Sequence, residues 1–247
     1  RLIMRDDQSI EGRLPGYRVV IITLDSHAAG PALRAMDKLS VDFPGLSVSI
    51  HAAAEWGETP GAFEAARDAV ETGDIIVSNL LFLEEHINPI LPALQSRRDH
   101  CDAMIGVIAD AAIVKLTRMG SLDMMAPQSG TMKLVKKLRG TSKPSSSSGA
   151  DKMAMLRRLP KILRFIPGKS QDLRAWFLTM QYWLGGSDDN VEAMVRFLLN
   201  RYAKNTGWAL NKVAAAPIEY PDCGLYHPDV PGRITTDAAA LPRPVGA

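Results

Sequence analysis

Residues 18–24 read RVVIITL, a run of β-branched and other apolar residues with no polar alternation. Such a run is typical of a strand that is covered on both faces, as in a parallel sheet between two layers of helices. A helix is predicted next, because Ala32, Met36 and Leu39 recur on one helical face, and residues 43–45 (FPG) end the unit. The stretch therefore predicts one strand followed by one helix.

The same pattern recurs along the first 120 residues. Further strands are predicted at Leu46 to Ala52, Asp74 to Leu80 and Ala103 to Ala109, and further helices at Pro60 to Thr72, Glu84 to Arg97 and Asp110 to Met119. Four such repeats with short joints favour an α/β fold with a doubly wound parallel sheet of the Rossmann or flavodoxin type.

Residues 170–203 predict an αα-hairpin. Ser170 can cap the first helix, Gly185 and Gly186 end it, and Ser187 can cap the second helix. The apolar stripe of the first helix is Leu173, Trp176, Phe177, Met180 and Leu184, and that of the second is Val191, Met194, Val195, Leu198 and Tyr202. Burial of each large apolar side chain stabilises a fold by roughly 1.5 to 3 kcal/mol, so the hairpin is expected to pack against a larger part of the protein.

The chain divides into five predicted regions. They are a lead-in (1–16), the parallel-sheet domain (17–120), a flexible loop and Ser-rich linker (121–150), a basic helical hairpin region (151–206), and a Pro-rich tail (207–247). A short basic helix is predicted at Met132 to Leu138, and one short strand near Ile218. From Lys133 to Arg174 there are twelve Lys or Arg residues against two Asp, which makes a basic field on a chain of net charge +2.

Composition limits the class of protein. With 247 residues and 46% apolar content, the chain can bury a substantial core. Cys101 and Cys223 give neither a disulfide pattern nor a metal knuckle, and no signal peptide opens the sequence, so a cytoplasmic location is expected. No apolar run approaches the ~20 residues of a membrane span, which leaves only peripheral association open.

Polar residues follow the predicted strands, where parallel α/β sheets usually bind ligands. Of these, Asp25 and His27 after the first strand are the first candidates for a divalent metal ion, for which carboxylate oxygen is a suitable ligand. The remaining polar residues at strand ends are Ser26, His51, Glu55, Asn79, Glu84, Glu85, His86 and Asp110. Ordinary helix capping explains most of them and is favoured. No GxxxxGK[ST] or GxGxxG loop follows a strand, so no nucleotide site is predicted.

Five longer runs carry a family resemblance. They are VVIITLDSHAAG (19–30), KLTRMGSLDM (115–124), MKLVKKLRG (132–140), MLRRLPKILRFIPG (155–168) and QDLRAWFLTMQYWLGGSDDNVEAMVRFLLNRYA (171–203). Together they closely resemble the large porphyrin-binding (H) subunit of magnesium chelatase, a family related to the cobaltochelatase large subunit. The resemblance covers about residues 17–227, and the TLDSHAAG version is more similar to the bacteriochlorophyll type.

The resemblance implies an enzyme that inserts Mg²⁺ into protoporphyrin IX, with ATP hydrolysed by separate ATPase subunits, at the entry to (bacterio)chlorophyll synthesis. Family members are several times longer, so the resemblance implies that the Pro-rich tail (207–247) is the start of the next domain of the full subunit. No residue here matches a transferable catalytic motif. The chain is therefore expected to be an amino-terminal piece that gates substrate or docks partners, with the ATPase subunits and the next pathway enzyme, a methyltransferase, as implied partners. A cobaltochelatase large subunit and a free-standing flavodoxin-like regulatory module remain the alternatives.

Basic and aromatic side chains could contact the porphyrin. Arg157, Arg158, Lys161, Arg164 and Lys169 could bind anions such as the porphyrin propionates, since Arg binds carboxylates bidentately. A solvated charged face or a contact with the rest of the subunit is the favoured explanation, and nucleic acid is the least favoured. Trp183 lies off the apolar stripe and is the candidate for stacking on the macrocycle, whereas core packing is expected for Trp176 and Phe177. His227 and Cys223 are expected to be surface residues.

Overall fold

The fold is given by a computed structural model that describes residues 16–126, 170–208, 212–219, 225–226, 230, 234–236 and 239. The strands are β1 (Tyr17–Thr23), β2 (Leu46–Ala52), β3 (Ile75–Asn79), β4 (Ala103–Val107), β5 (Arg118–Met119), β6 (Leu122–Asp123), β7 (Leu225–Tyr226) and β8 (Ile234–Thr235). The helices are α1 (Ala29–Asp42), α2 (Ala62–Thr72), α3 (Glu84–Arg97), α4 (Ala111–Val114), α5 (Ser170–Gly185) and α6 (Asp188–Tyr202).

The main sheet has the strand order β2-β1-β3-β4-β5-β6. The first four strands are parallel, with Ile21 of β1 opposite Ile50 of β2 and Val77 of β3. The chain moves outward from β1 to β2 and then returns past β1 to β3 and β4. This confirms the predicted doubly wound α/β fold, although the two-residue strands β5 and β6 extend the sheet in the antiparallel sense.

Two apolar cores lie on opposite faces of the sheet. On one face, α1, α5 and α6 pack over side chains such as Val19, Ile21 and Val77. On the other face, α2 and α3 pack over Val20, Ile22 and Ile76. Successive side chains of β1 and β3 thus point to opposite faces of the sheet, and helices cover both faces. The continuous apolar run of β1 predicts this arrangement.

The αα-hairpin is confirmed, and it packs into the same core as β1, β3 and β4. Ser187 caps α6 by accepting a hydrogen bond from the backbone N–H of Asn190 at 3.2 Å. Gly186, with φ +62°, supplies the left-handed residue that separates the helices. One residue of the predicted stripe lies elsewhere: Leu184 is 49% exposed, while its neighbours Tyr182 and Trp183 in the last turn of α5 pack against the core.

Two predicted elements are wrong in part. The helix predicted from Asp110 to Met119 is the single turn α4, because the Thr117 hydroxyl donates to the Gly106 carbonyl and accepts from the Gly106 N–H, which fixes the chain beside β4. In the described residues 212–219, which include Ile218, no strand forms. The backbone N–H and C=O of Ile218 pair instead with the side-chain amide of Asn190, at 2.8 and 3.0 Å.

Several predictions lie outside the described residues. These are the helix at Met132 to Leu138, the Ser-rich linker, and the side chains Arg157, Arg158, Lys161, Arg164, Cys223 and His227. Among the described residues, no helix is long and apolar enough to cross a bilayer.

Candidate functional site

Four loops meet at the carboxyl edge of the parallel strands, and we call this region the carboxyl edge. It comprises residues 24–28 after β1, 53–61 after β2, 80–86 after β3, of which 84–86 are the first turn of α3, and 108–110 after β4. Since β2 and β3 lie on opposite sides of β1, the strand order reverses between β1 and β3. In open α/β sheets this reversal is the usual place for a ligand.

The predicted metal residues Asp25 and His27 do contact each other. Asp25 Oδ1 accepts a hydrogen bond from the His27 backbone N–H at 3.0 Å and lies 3.0 Å from His27 Nδ1. Both side chains face solvent, at 45% and 92% exposure. In the described ranges, no three His, Cys, Asp or Glu side chains come together as a set that could hold a metal ion. The pair therefore shapes the turn before α1 and offers two of the several ligands that Mg²⁺ requires.

Buried polar groups lie at the ends of the two central strands. The side-chain amide of Asn79 and the hydroxyls of Thr23 and Ser78 are buried with no hydrogen-bond partner among the described residues. Ile22 pairs with Ser78, so Thr23 and Asn79 follow as neighbours on adjacent strands, about 5 Å apart. Each unsatisfied group costs about 1–3 kcal/mol, and such groups in a folded protein call for an explanation.

The loop after β3 has a strained backbone. Leu80 (φ +55°) and Ile108 (φ +49°) are non-glycine residues in the left-handed region, and the Leu80 N–H donates to the Ile108 carbonyl at 2.8 Å. Such conformations cost about 1–3 kcal/mol each and cluster at functional sites. The two strained residues hold the loops after β3 and β4 together.

The end of this loop also departs from the usual helix start. Leu83 occupies the N-cap of α3 and makes no side-chain capping bond, where Ser, Thr, Asp or Asn would add about 1 kcal/mol. Phe82 and Leu83 are 55% and 53% exposed, although the preceding Leu81 is fully buried. Adjacent exposed apolar side chains at the edge of an α/β sheet are consistent with a contact surface.

The charged residues of the carboxyl edge are acidic, apart from its histidines. Its four loops contain no Lys or Arg, and six carboxylates are exposed there: Asp25, Glu55, Glu58, Glu84, Glu85 and Asp110. Asp110 also caps α4 by accepting from the Ala112 N–H at 2.8 Å, as the capping alternative predicted. The edge is therefore acidic around an apolar centre.

A cleft of about 320 Å³ lies beside the end of β2, lined in part by His51, Glu55, Trp56 and Gly61. Burial lowers the pKa of His51, and the nearby Glu55 only partly opposes this effect. The ring nitrogen Nε2 of His51 lies 3.1 Å from the Ser49 hydroxyl. Because the lowered pKa favours the neutral imidazole, and because this ring contacts a residue of its own strand, His51 forms part of the wall of the cleft. It has limited capacity to bind a charged ligand.

The aromatic residues of the hairpin are mainly structural. Phe177 is buried, and Trp176 packs edge-to-face on it while its indole N–H donates to the Gly106 carbonyl at 2.9 Å. Core packing is thus confirmed for both. Trp183 is half-buried against the same core. Its role as a stacking residue stays a prediction, as do those of the four basic residues from Arg157 to Arg164.

Sequence reasoning missed Phe82 and Leu83 as surface residues. The signal that could have found them is the run LLFL directly before the acidic start of α3, with no polar capping residue between strand and helix. Such a run contradicts the local rules for a helix start, and departures of this kind are expected at functional sites.

Comparisons with known proteins give the family. A family model described as "Domain of unknown function (DUF3479)" matches residues 18–177, and one described as "CobN/Magnesium Chelatase" matches residues 180–243. The chain is 62% identical over 234 residues to the magnesium-chelatase H subunit of Cereibacter sphaeroides, an alignment that covers 94% of the chain and 19% of that protein. The corresponding protein of Rhodobacter capsulatus is 61% identical, covering 93% of the chain and 19% of the relative. The chloroplastic magnesium-chelatase ChlH protein of Oryza sativa is 26% identical, covering 94% and 17%. The chain thus spans about a fifth of the length of the curated relatives it matches.

Proposed function

The chain belongs to the DUF3479 family of domains, and from this premise we propose that it forms the amino-terminal head of the large subunit of a magnesium chelatase. The observation that carries the proposal is the high identity to two bacterial relatives named as magnesium-chelatase H subunits, sustained over nearly the whole chain. The parent enzyme would insert Mg²⁺ into protoporphyrin IX for bacteriochlorophyll synthesis. Both Mg²⁺ and the porphyrin are its substrates.

The reaction makes clear why a dedicated head is useful. Mg²⁺ gives up its water reluctantly, so insertion requires a site that removes water and positions the ring. Coupling this step to ATP hydrolysis by partner subunits requires surfaces that recognise those subunits. We assign the head to gating or docking, since its carboxyl edge presents exposed Phe82 and Leu83 together with six exposed carboxylates.

The proposed partners are the ATPase subunits and, at the next step of the pathway, a methyltransferase that would receive the metallated porphyrin. We infer a cytoplasmic place of action with peripheral contact at the membrane. The free buried thiol of Cys101 suits a reducing compartment. Arg157, Arg158, Lys161, Arg164 and Trp183 remain the proposed porphyrin contacts, and Asp25 with His27 the proposed metal contact.

A second candidate is the large subunit of a cobaltochelatase. The second family model is described for both chelatases, which supports keeping this alternative. The two functions differ in the macrocycle that the full subunit accepts. Titration of the full subunit with protoporphyrin IX and with hydrogenobyrinate, followed by tryptophan fluorescence, separates them.

The test of the main proposal is deletion of residues 17–206 from the full subunit. With the ATPase subunits, ATP and Mg²⁺ present, we expect a loss of roughly tenfold or more in the rate at which magnesium protoporphyrin fluorescence appears. A full subunit carrying Val41→Ser is the control, because Val41 is exposed on α1 and lies outside the carboxyl edge. Adding the 247-residue chain in trans should restore part of the rate. Full activity after the deletion would refute the proposed role.

A further inference from the structure

We propose that the carboxyl edge, centred on Phe82 and Leu83, docks a basic amphipathic segment of a partner protein. The inference deepens the docking role proposed above and rests on it for the identity of the complex. The surface itself follows from the described residues alone.

The apolar centre is held outward by the fold. Leu81 is fully buried, and Leu80 beside it is fixed in the left-handed region by its hydrogen bond to the Ile108 carbonyl. Phe82 and Leu83 lie between this buried neighbour and the start of α3 at Glu84, and both side chains face solvent. Adjacent apolar side chains that a fold holds in solvent are a recurrent feature of protein interfaces.

The negative charge near Phe82 and Leu83 favours a positively charged partner. Three strand spacings of about 5 Å separate β2 from β4, so the loops that carry the six carboxylates span about 15 Å and flank the loop of Phe82 and Leu83 on both sides. In the described part of the chain no Lys or Arg forms an ion pair with any of them; Asp25 and Glu85 lie instead within 4 Å of the imidazoles of His27 and His86. A surface of this kind favours a segment that carries several Lys or Arg residues beside an apolar face.

Other occupants fit less well. A second copy of the chain using the same surface would bring six carboxylates against six, and like charges at an interface are costly. An anionic membrane surface would be repelled for the same reason. A basic amphipathic partner segment would pair its Lys and Arg side chains with the carboxylates and cover Phe82 and Leu83 with its apolar face.

The first test uses the full subunit and a labelled helical peptide of Lys and Leu, about 16 residues long, as the probe. We expect saturable binding by fluorescence anisotropy that weakens roughly tenfold or more in Phe82→Ser/Leu83→Ser and about fivefold or more at high salt. The matched control is Leu33→Ser/Val41→Ser, which removes two exposed apolar side chains from α1 and should leave the affinity within about twofold. A Glu and Leu peptide of the same length should not bind. Equal binding of both peptides, or equal loss in both variants, would overturn the proposal.

The second test places a photo-crosslinking benzoylphenylalanine at position 82 of the full subunit, with position 33 as the control. Mixed with the ATPase subunits, position 82 should crosslink to a partner peptide rich in Lys and Arg. A crosslink to a second copy of the subunit, to an acidic segment or to lipid would overturn the docking proposal. If the Lys and Leu peptide binds but the ATPase subunits give no crosslink, the surface stands and its assignment to chelatase assembly fails.

A charge-reversal pair completes the design. Glu84→Lys/Glu85→Lys should weaken binding of the basic peptide roughly tenfold or more, because it inverts the charge next to the apolar centre. Asp68→Lys/Glu71→Lys makes the same change on the exposed face of α2 and should have less than about a twofold effect. Similar losses from both pairs would show that the peptide senses only net charge and would overturn the assigned surface.

Discussion

Asp172 at the start of α5 accepts a hydrogen bond from the hydroxyl of Tyr202 at the end of α6, at 2.8 Å. The same carboxylate accepts from the backbone N–H and the hydroxyl of Ser121, both at 2.8 Å, and from Arg201 at 2.9 Å. One buried acid thus ties both helices of the hairpin to the turn between β5 and β6. Gly120 leaves the space, since a methyl group there would lie 2.5 Å from Asp172 Oδ2.

Replacement of this acid should therefore destabilise the fold. Asp172→Asn keeps the volume but removes the charge and puts an N–H₂ group against donors, so we expect a loss of about 2–4 kcal/mol in the free energy of unfolding. Asp188→Asn is the matched control, because Asp188 pairs with Arg34 at an exposed site and should cost under about 1 kcal/mol. Urea denaturation measures both. Equal losses would contradict the central role of Asp172.

The pH dependence of this contribution has a definite sign. Burial raises the pKa of Asp172, but the hydrogen bonds from Ser121, Tyr202 and Arg201 outweigh burial and lower the pKa below its ordinary value of 3.8. A depressed pKa stabilises the fold above the unfolded-state value and loses this effect as pH falls through the folded-state value. The stability difference between wild type and Asp172→Asn should be constant from about pH 7 to 5 and shrink below about pH 4. A difference that grows on acidification would contradict this assignment.

The contact of β4 with α4 gives a steric prediction. A methyl group on Gly106 would lie 2.5 Å from the carbonyl oxygen of Ile113, which is backbone and cannot move aside. Gly106→Ala should thus cost about 1–3 kcal/mol or more by overpacking, as measured by thermal or urea unfolding. Gly57→Ala, with open space around the added methyl, should be neutral. A stable Gly106→Ala variant would mean that α4 is not seated on β4 in solution.

Local patterns were enough to predict the parallel core of this fold. The apolar run of β1, the helical spacing of α1 and α2, and the glycines and serine between α5 and α6 are short-range signals that match the structure. The stretch from Asp110 to Met119 carries a helical signal too. It is overruled by the Thr117 side chain bonding to Gly106, a contact between residues 11 apart that no local pattern reveals.

The candidate site was predicted only in outline. Sequence order puts Asp25, Asn79 and Asp110 at strand ends, and the parallel sheet does gather them at one edge. Which side chains are buried or exposed there depends on packing between distant elements. Asn79 is fully buried, whereas the apolar Phe82 faces solvent, which inverts what their polarity suggests.

Asn79 gives the last prediction, since its buried amide has no partner among the described residues. Asn79→Leu removes two unsatisfied polar atoms while keeping the number and branching of the side-chain heavy atoms, and it should raise the free energy of unfolding by about 1–3 kcal/mol. Asn190→Leu is the matched control: Asn190 is equally buried, but its amide bonds both backbone groups of Ile218, so its loss should cost about 2–4 kcal/mol. Guanidinium unfolding with unchanged m-values measures both. If Asn79→Leu were as destabilising as Asn190→Leu, the Asn79 amide would hold a water molecule or ligand in solution. The point between β1 and β3 where the strand order reverses would then be a binding site in its own right.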